Sequence, residues 1–303
     1  MKFAGALVGS ALGDAIGELA FRYGRRDRLL TRIEQLGTLT YTDDTAMAIA
    51  LAETLATTGD VKSQQLGDTF RAHFTREPWR GYGPGPPAIF ARVAAGGISY
   101  EAAARELYGE QGSFGNGAAM RIAPLALFFC DSDVLYQKAE ASALVTHTHP
   151  IGVDGAAIQA RAIARASLLE HDRALDVQVF MQDLIVFART AAIRSKLEAV
   201  QRLILDNTPP PEAARRLGLS IAVQESMPFA LYCFLRHPDE YAQCLYAAIL
   251  HGGDRDTMGA MAGAISGAYL GIDAIPMDWR SKLENGERIE KLAYELLAKR
   301  KNQ

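Results

Sequence analysis

Phe3-Ala4-Gly5-Ala6-Leu7-Val8-Gly9-Ser10-Ala11-Leu12-Gly13-Asp14-Ala15-Ile16-Gly17-Glu18-Leu19-Ala20 sets a glycine at every fourth position, and Gly259, Gly263, Gly267 and Gly271 repeat the device near the other end of the chain. A four-residue interval returns to one face of an α-helix. Glycine costs a helix interior up to about 1 kcal/mol per site relative to alanine, so eight glycines in two stripes need a compensating reason. Close approach of another backbone is that reason. Membrane helices use the same device, but Lys2, Asp14 and Glu18 punctuate the first segment, and the second is too short after Asp256 to span a bilayer. Both stripes therefore read as packed central helices of a soluble bundle, and if they pack on each other they draw the two ends of the chain together.

Helical periodicity extends outward from these two segments. Residues 3–20, 44–57, 62–76, 87–95, 100–107, 117–129, 133–146, 151–170, 174–192, 210–217, 221–236, 238–250, 256–271 and 286–300 read as helices, most of them joined by short Gly, Pro or Asp breaks. Thr38-Leu39-Thr40-Tyr41 is the best strand-like run, and it is short. The expectation is an all-α fold forming a single domain over residues 1–303, since no composition shift or repeat period divides it. With 49% hydrophobic and 22% charged residues the chain can bury a substantial core, and a net charge of −3 gives no pull toward nucleic acid. Cys130, Cys233 and Cys244 are an odd number in apolar stretches, which reads as buried thiols in a reducing compartment. The apolar N-terminus mimics a signal peptide but lacks a clear cleavage site, so the expected location is the cytoplasm.

Two acidic clusters open helical segments: Thr42-Asp43-Asp44-Thr45 and Asp254-Arg255-Asp256-Thr257. One carboxylate at a helix start is an ordinary cap, and either cluster alone reads as one. Paired carboxylates exceed what a cap needs and repel each other unless a cation lies between them. Hard oxygen donors of this kind suit magnesium, manganese or calcium rather than zinc. If the glycine stripes meet, both clusters converge on one or two divalent ions.

Two glycine-rich loops lie between the clusters. Arg80-Gly81-Tyr82-Gly83-Pro84-Gly85-Pro86-Pro87 reads as an exposed, semi-rigid turn. Gly112-Ser113-Phe114-Gly115-Asn116-Gly117 runs into the next predicted helix, an arrangement that presents backbone N–H groups to an anion, with Phe114 as a stacking face. It matches neither the dinucleotide fingerprint nor the Walker pattern. Thr146-His147-Thr148-His149-Pro150 has a His-x-His spacing, yet only His251 could add a further nitrogen ligand, so one histidine lining a polar pocket is the better reading than a histidine metal site. No Gly-x-Ser-x-Gly elbow or Cys–His pairing supports a covalent nucleophile.

In chain order, Gly13-Asp14-Ala15-Ile16-Gly17, Thr42-Asp43-Asp44-Thr45, Arg80-Gly81-Tyr82-Gly83, Gly112 to Gly117, Thr146-His147 and Gly252-Gly253-Asp254-Arg255-Asp256-Thr257 together resemble the ADP-ribosylglycohydrolase (ADP-ribosylhydrolase) family, which includes the dinitrogenase reductase-activating glycohydrolase. The resemblance implies a compact orthogonal helical bundle around a dinuclear magnesium (or manganese) site. It implies Thr42, Asp43 and Asp44 as metal ligands on one side and Asp254, Asp256 and Thr257 on the other. It places Gly112, Ser113, Phe114, Gly115 and Asn116 around the pyrophosphate and distal ribose, with His147 lining that region and Gly83 bordering the cleft. The implied reaction is metal-assisted hydrolysis that frees ADP-ribose from a modified protein side chain such as arginine or serine, or from a related conjugate, with Asp43 or Asp44 giving acid–base help. Neither a membrane nor nucleic acid is an expected partner, except nucleic acid as a modified substrate. A silent ADP-ribose-binding protein and a metal-dependent phosphohydrolase are the alternative readings. Two positions depart from the family pattern: Arg255 stands between the aspartates where the family commonly has threonine, and Phe21 stands where members cleaving serine linkages carry a glutamate.

Overall fold

The two glycine stripes pack on each other. In the computed structural model, which describes residues 1–170 and 175–302, Lys2–Arg22 (α1) runs antiparallel to Arg255–Leu270 (α17). A Cβ on Gly9 would stand 2.5 Å from the Gly263 carbonyl oxygen, and one on Gly17 2.5 Å from that of Arg255. Gly13 meets Gly259 and Gly5 meets Gly267 more closely still. Backbone thus lies on backbone, and the dispersion gained along two buried helices offsets the propensity cost of the glycines. Tyr241 donates its hydroxyl to the Gly9 carbonyl at 2.7 Å beside the seam. Gly271 plays another part: at φ +84° it ends α17. By length and apolarity α1 could cross a membrane, but 89% of its apolar window is buried inside the protein.

Around this pair lie α2 (Arg26–Gln35), α3 (Asp43–Thr58), α4 (Ser63–Arg76), α5 (Gly85–Ala94), α6 (Tyr100–Arg105), α7 (Leu107–Glu110), α8 (Gly117–Met120), α9 (Ala123–Phe128) and α10 (Leu135–Ala143). Then follow α11 (Pro150–Leu168), α12 (Val177–Phe187), α13 (Ala191–Leu205), α14 (Pro210–Leu217), α15 (Val223–Arg236), α16 (Tyr241–Ile249), α18 (Met277–Arg280) and α19 (Gly286–Lys301). The all-α expectation holds among the described residues. The run Thr38–Tyr41 contributes one isolated parallel bridge, Leu39 to Leu283, and no strand.

Three expectations need correction. The helix expected over 117–129 is two short helices, α8 and α9, because the chain turns at Arg121 and Ile122 and Pro124 starts a new first turn. The helix expected over 174–192 begins on a residue outside the described set and breaks after Phe187. Its cause lies far off in sequence: buried Asp154 on α11 accepts from the Arg189 and Thr190 N–H groups and from the Thr190 hydroxyl, fixing a new helix start there. Helices α2 and α13 were not expected. Helix α2 buries only Leu29 and Ile33, too few to declare a period.

All three cysteines are buried free thiols.

Candidate active site

Helix α1 positions the site through Asp14, which sits one residue beyond Gly13 on the packed seam and is fully buried. Its carboxylate accepts from the Thr42 N–H at 3.0 and 3.1 Å, from the Thr45 N–H at 3.1 Å and from the Thr45 hydroxyl at 2.6 Å. Asp14 therefore pins the first turn of α3 to α1. Thr42 caps that turn by accepting from the Asp44 N–H at 3.4 Å. The Asp43 N–H donates to the Arg80 carbonyl at 2.8 Å, which tethers the Pro/Gly loop to the same turn.

The antiparallel seam brings the start of α17 to this place, because Gly17 abuts Arg255 and Gly13 abuts Gly259. Asp254 and Asp256 share a side-chain hydrogen bond, and both charges act on Asp44. Asn116 donates to Asp254 at 2.5 Å and to the Ser226 hydroxyl at 3.1 Å, so this loop residue is tied to the acidic group. Arg255 turns away, as an alternating pattern requires, and donates to the Ile249 carbonyl at 2.7 Å rather than to a carboxylate. Thr257 is buried beside Asp256 and gives it a backbone hydrogen bond.

The electrostatics follow from this crowding. Burial, opposed by hydrogen bonds from Thr45 and Thr42, pushes Asp14 up to about 6. Burial together with the charges of Asp14 and Asp254 raises Asp43 to about 7. Asp44 is held well above the carboxylate range by burial and by Asp14, Asp256, Asp43 and Asp254. Burial, with Asp254 and Asp14, lifts Asp256 to about 8. Asp44 Oδ2 and Asp256 Oδ1 are buried without any hydrogen-bond partner. Clustered carboxylates with orphaned oxygens are the donor chemistry of a hard divalent cation. Even so, among the described residues no three acidic, histidine or cysteine side chains close on one point as a formed ligand cage.

The glycine loop borders this group. Gly115 pairs with Ala222 in an isolated antiparallel bridge, the Asn116 N–H donates to Ile221, and the Val223 N–H donates to Phe114. Gly112, at φ +71°, admits no side chain because Thr148 Oγ1 occupies the space. The Ser113 hydroxyl accepts from the Gly115 N–H at 3.1 Å. Phe114 is 44% exposed, with the His149 ring edge-on at 5.3 Å. His147 lies buried under the loop against Gly115 and Gly117, and burial together with the Arg121 charge lowers it to about 3, so it is neutral. Because α8 is a single turn, the long helix expected behind this loop does not stand there, and an anion would meet loop amides and side chains instead. The His-x-His pair is divided: His149 caps α11 by accepting from the Ile151 N–H at 3.1 Å, while His251 packs edge-on to Phe229. In the Pro/Gly loop, Arg80 is buried in ion pairs with Glu77 and Glu284, the Tyr82 hydroxyl is buried without a partner near Asp43, and Gly83 is exposed with open space around it. Open surface clefts of about 860 and 1170 Å³ lie elsewhere and contain none of the expected site residues.

A family model described as ADP-ribosylglycohydrolase matches residues 1–303. The chain belongs to the ADP-ribosylglycohydrolase family. Among curated proteins it is 32% identical to "ADP-ribosylhydrolase ARH3" of Mus musculus, over 97% of this chain and 90% of that protein. It is also 32% identical to the Homo sapiens protein of that name, over 97% and 92%. A third relative, the "ADP-ribosyl-[dinitrogen reductase] glycohydrolase" of Rhodospirillum rubrum, is 27% identical over 92% and 89%. A solved structure titled "ADP-ribosylglycohydrolase-related protein complex" superposes with a TM-score of 0.73 at 25% identity, covering 98% of this chain and 97% of that one. Family membership makes the chain a glycosidic-bond hydrolase.

Within this candidate site, sequence reading assigned no role to Asp14. Position next to the seam did not settle it, since Glu18, one step from Gly17, is exposed while Asp14, one step from Gly13, is buried. Phe21 is 50% exposed at the C-terminal end of α1, and Glu18 and Glu34 are both exposed, so neither glutamate enters the buried acidic group.

Proposed function

We propose that this enzyme releases ADP-ribose from an ADP-ribosylated acceptor by water attack at the anomeric carbon of the distal ribose, with Thr42, Asp43, Asp44, Asp254, Asp256 and Thr257 holding a pair of divalent cations, magnesium or manganese. The supporting observation is the pair of buried, unpartnered oxygens, Asp44 Oδ2 and Asp256 Oδ1, delivered by two helix starts that the glycine seam brings together. When bound, such cations supply Lewis acidity, orienting ribose hydroxyls and making water acidic enough to attack near neutral pH.

The protein's own groups do the rest. The glycine loop from Gly112 to Asn116 and His147 hold the pyrophosphate and distal ribose, and exposed Phe114 covers one sugar or base face. Asp43 or Asp44, both raised by burial and by the neighbouring carboxylates, gives acid–base help to the attacking water or the leaving group, while the remaining carboxylates of the group carry the ligand role. Carboxylates around the sugar stabilise the positive charge that develops on the ring in the transition state. Phe21 stands where members cleaving serine linkages carry a glutamate, so the acceptor, whether arginine, serine or a related conjugate, is what the assay below decides. The cytoplasm remains the proposed location.

A panel of defined ADP-ribosyl conjugates, read by mass spectrometry for free ADP-ribose, tests this. Asp44→Asn and Asp256→Asn should each lower turnover at least about a hundredfold with the helical content kept, and EDTA should do the same. Full activity under both conditions would refute the metal-assisted reading. Tight ADP-ribose binding without product would favour a silent binder, and AMP as product a phosphohydrolase.

A further inference from the structure

Arg121 is the largest fully buried side chain; its hydrogen bonds go to carbonyls and a hydroxyl rather than to a carboxylate, and the opposing charge acting on it is that of Asp43. Its guanidinium lies 4.5 Å from the Phe70 ring centroid. One nitrogen donates to the Gly117 carbonyl at 3.2 Å; the other donates to the Ser142 carbonyl at 3.1 Å and to the Thr146 hydroxyl at 2.8 Å. Thr146 Oγ1 in turn lies 2.7 Å from His147 Nδ1. A guanidinium donates and never accepts. The Thr146 oxygen is therefore an acceptor toward Arg121, and its single proton points to its one other partner, His147 Nδ1. Were Nδ1 to carry the hydrogen, the Thr146 oxygen would accept twice and its own buried proton would be left without an acceptor among the described residues; the arrangement that satisfies every group makes Nδ1 the bare acceptor of a neutral ring and leaves the hydrogen on Nε2. His147 Nε2 has no protein acceptor among the described residues, and it faces the loop: a Cβ on Gly117 would lie 3.2 Å from it and one on Gly115 3.5 Å.

We infer that Arg121, acting through Thr146, fixes His147 as the Nε2–H tautomer and so presents a neutral hydrogen-bond donor to an acceptor oxygen, of phosphate or ribose, held in the Gly112–Gly117 loop. Arg121 and Thr146 are positioning residues here. The inference rests on the proposed use of that loop, and it gives a role to an arginine that is kept in an apolar interior with no direct ion pair, only the more distant charge of Asp43 acting on it. A neutral Nε2–H selects for an acceptor, because it offers no lone pair to a hydroxyl proton. Replacing Thr146 by valine preserves shape but removes the relay.

The test is ¹⁵N NMR of histidine-labelled protein free of substrate, together with ADP-ribose titration. In the wild type, His147 should show a pyridine-type Nδ1 and a pyrrole-type Nε2. Thr146→Val should give a tautomer mixture, about tenfold weaker ADP-ribose binding and a KM raised by a similar factor, with a smaller change in kcat. Thr146→Ser should restore all of these. A wild-type Nδ1–H tautomer, or an unchanged Nε2–H tautomer in Thr146→Val, would overturn the relay. Failure of the enzyme to release ADP-ribose from any conjugate, with the Nε2–H tautomer intact, would instead count against the proposed reaction.

Discussion

Asp14 shows how one residue can both hold the fold and shape the chemistry. Its carboxylate is the shared acceptor for the first turn of α3, yet burial is the largest influence on it and pushes it up to about 6 despite the hydrogen bonds. Removing one donor should therefore be felt. Thr45→Val keeps the side-chain shape and deletes the 2.6 Å hydroxyl contact, leaving a buried carboxylate oxygen short of a partner. A loss of about 1–3 kcal/mol in urea unfolding is expected, with turnover falling as Asp43 and Asp44 lose their fixed backbone. Unchanged stability would mean that the hydroxyl contributes nothing there. At this scale the sequence was legible in part. Thr42, Asp43, Asp44, Asp254, Asp256 and Thr257 drew attention because paired carboxylates at helix starts are more than caps. Asp14 did not, since a lone acid in an apolar helix looks like a solvent-facing interruption until its partners on α3 are known. The Arg121–Thr146–His147 chain was hidden for the same reason: hydrogen-bond partners 25 residues apart leave no periodic trace.

Among the elements, the α1–α17 seam decides where everything else goes, and it was the most legible feature of the chain. A glycine at every fourth position of two helices has few physical causes, and mutual close packing is the one found. Less visible were boundaries imposed from a distance. Asp154 ends one helix and starts another by capturing the N–H groups of Arg189 and Thr190, and the local mark of that break is slight: Thr190, whose hydroxyl caps the new helix by accepting from the Ile193 N–H. The seam permits a sharp prediction. In Gly13→Ala the new methyl would collide with the Gly259 carbonyl and the following backbone N, neither of which can rotate away. Alanine's better helix propensity returns up to about 1 kcal/mol, but overpacking two rigid helices costs about 1–3 kcal/mol or more. Net destabilisation is therefore expected in chemical unfolding. Gly37→Ala, with nothing within 4 Å of the new Cβ, is the matched control and should be near neutral. Because Gly13 precedes Asp14 and Gly259 lies three residues past Asp256, the folded fraction of Gly13→Ala should also lose activity, and equal specific activity of the two variants would detach the seam from the site.

For the whole molecule, the acidic convergence makes folding stability depend on pH in an unusual direction. Most buried, paired carboxylates sit low and stabilise the fold as pH rises. Here Asp43 stands at about 7 and Asp256 at about 8, so above the ordinary carboxylate range the unfolded chain has released protons that the folded chain still holds. Stability conferred by these groups is complete below their unfolded values and is lost as pH climbs through their folded ones. His147 works oppositely, since its lowered value costs stability only below the ordinary histidine range, and a window above about pH 6.5 keeps its contribution constant. In EDTA, unfolding free energy should therefore fall by about 2 kcal/mol between pH 6.5 and 8.5. A divalent cation that binds the same carboxylates favours their ionised form, so in excess magnesium the decline should flatten or reverse, and magnesium added at pH 7 in weak buffer should release protons. Urea titrations at a series of pH values with and without magnesium, paired with a pH-stat measurement, distinguish the outcomes. Parallel curves under the two conditions, with no proton release, would show that the carboxylates stand together without sharing a cation, and the proposed ligand role of these carboxylates would then have no basis.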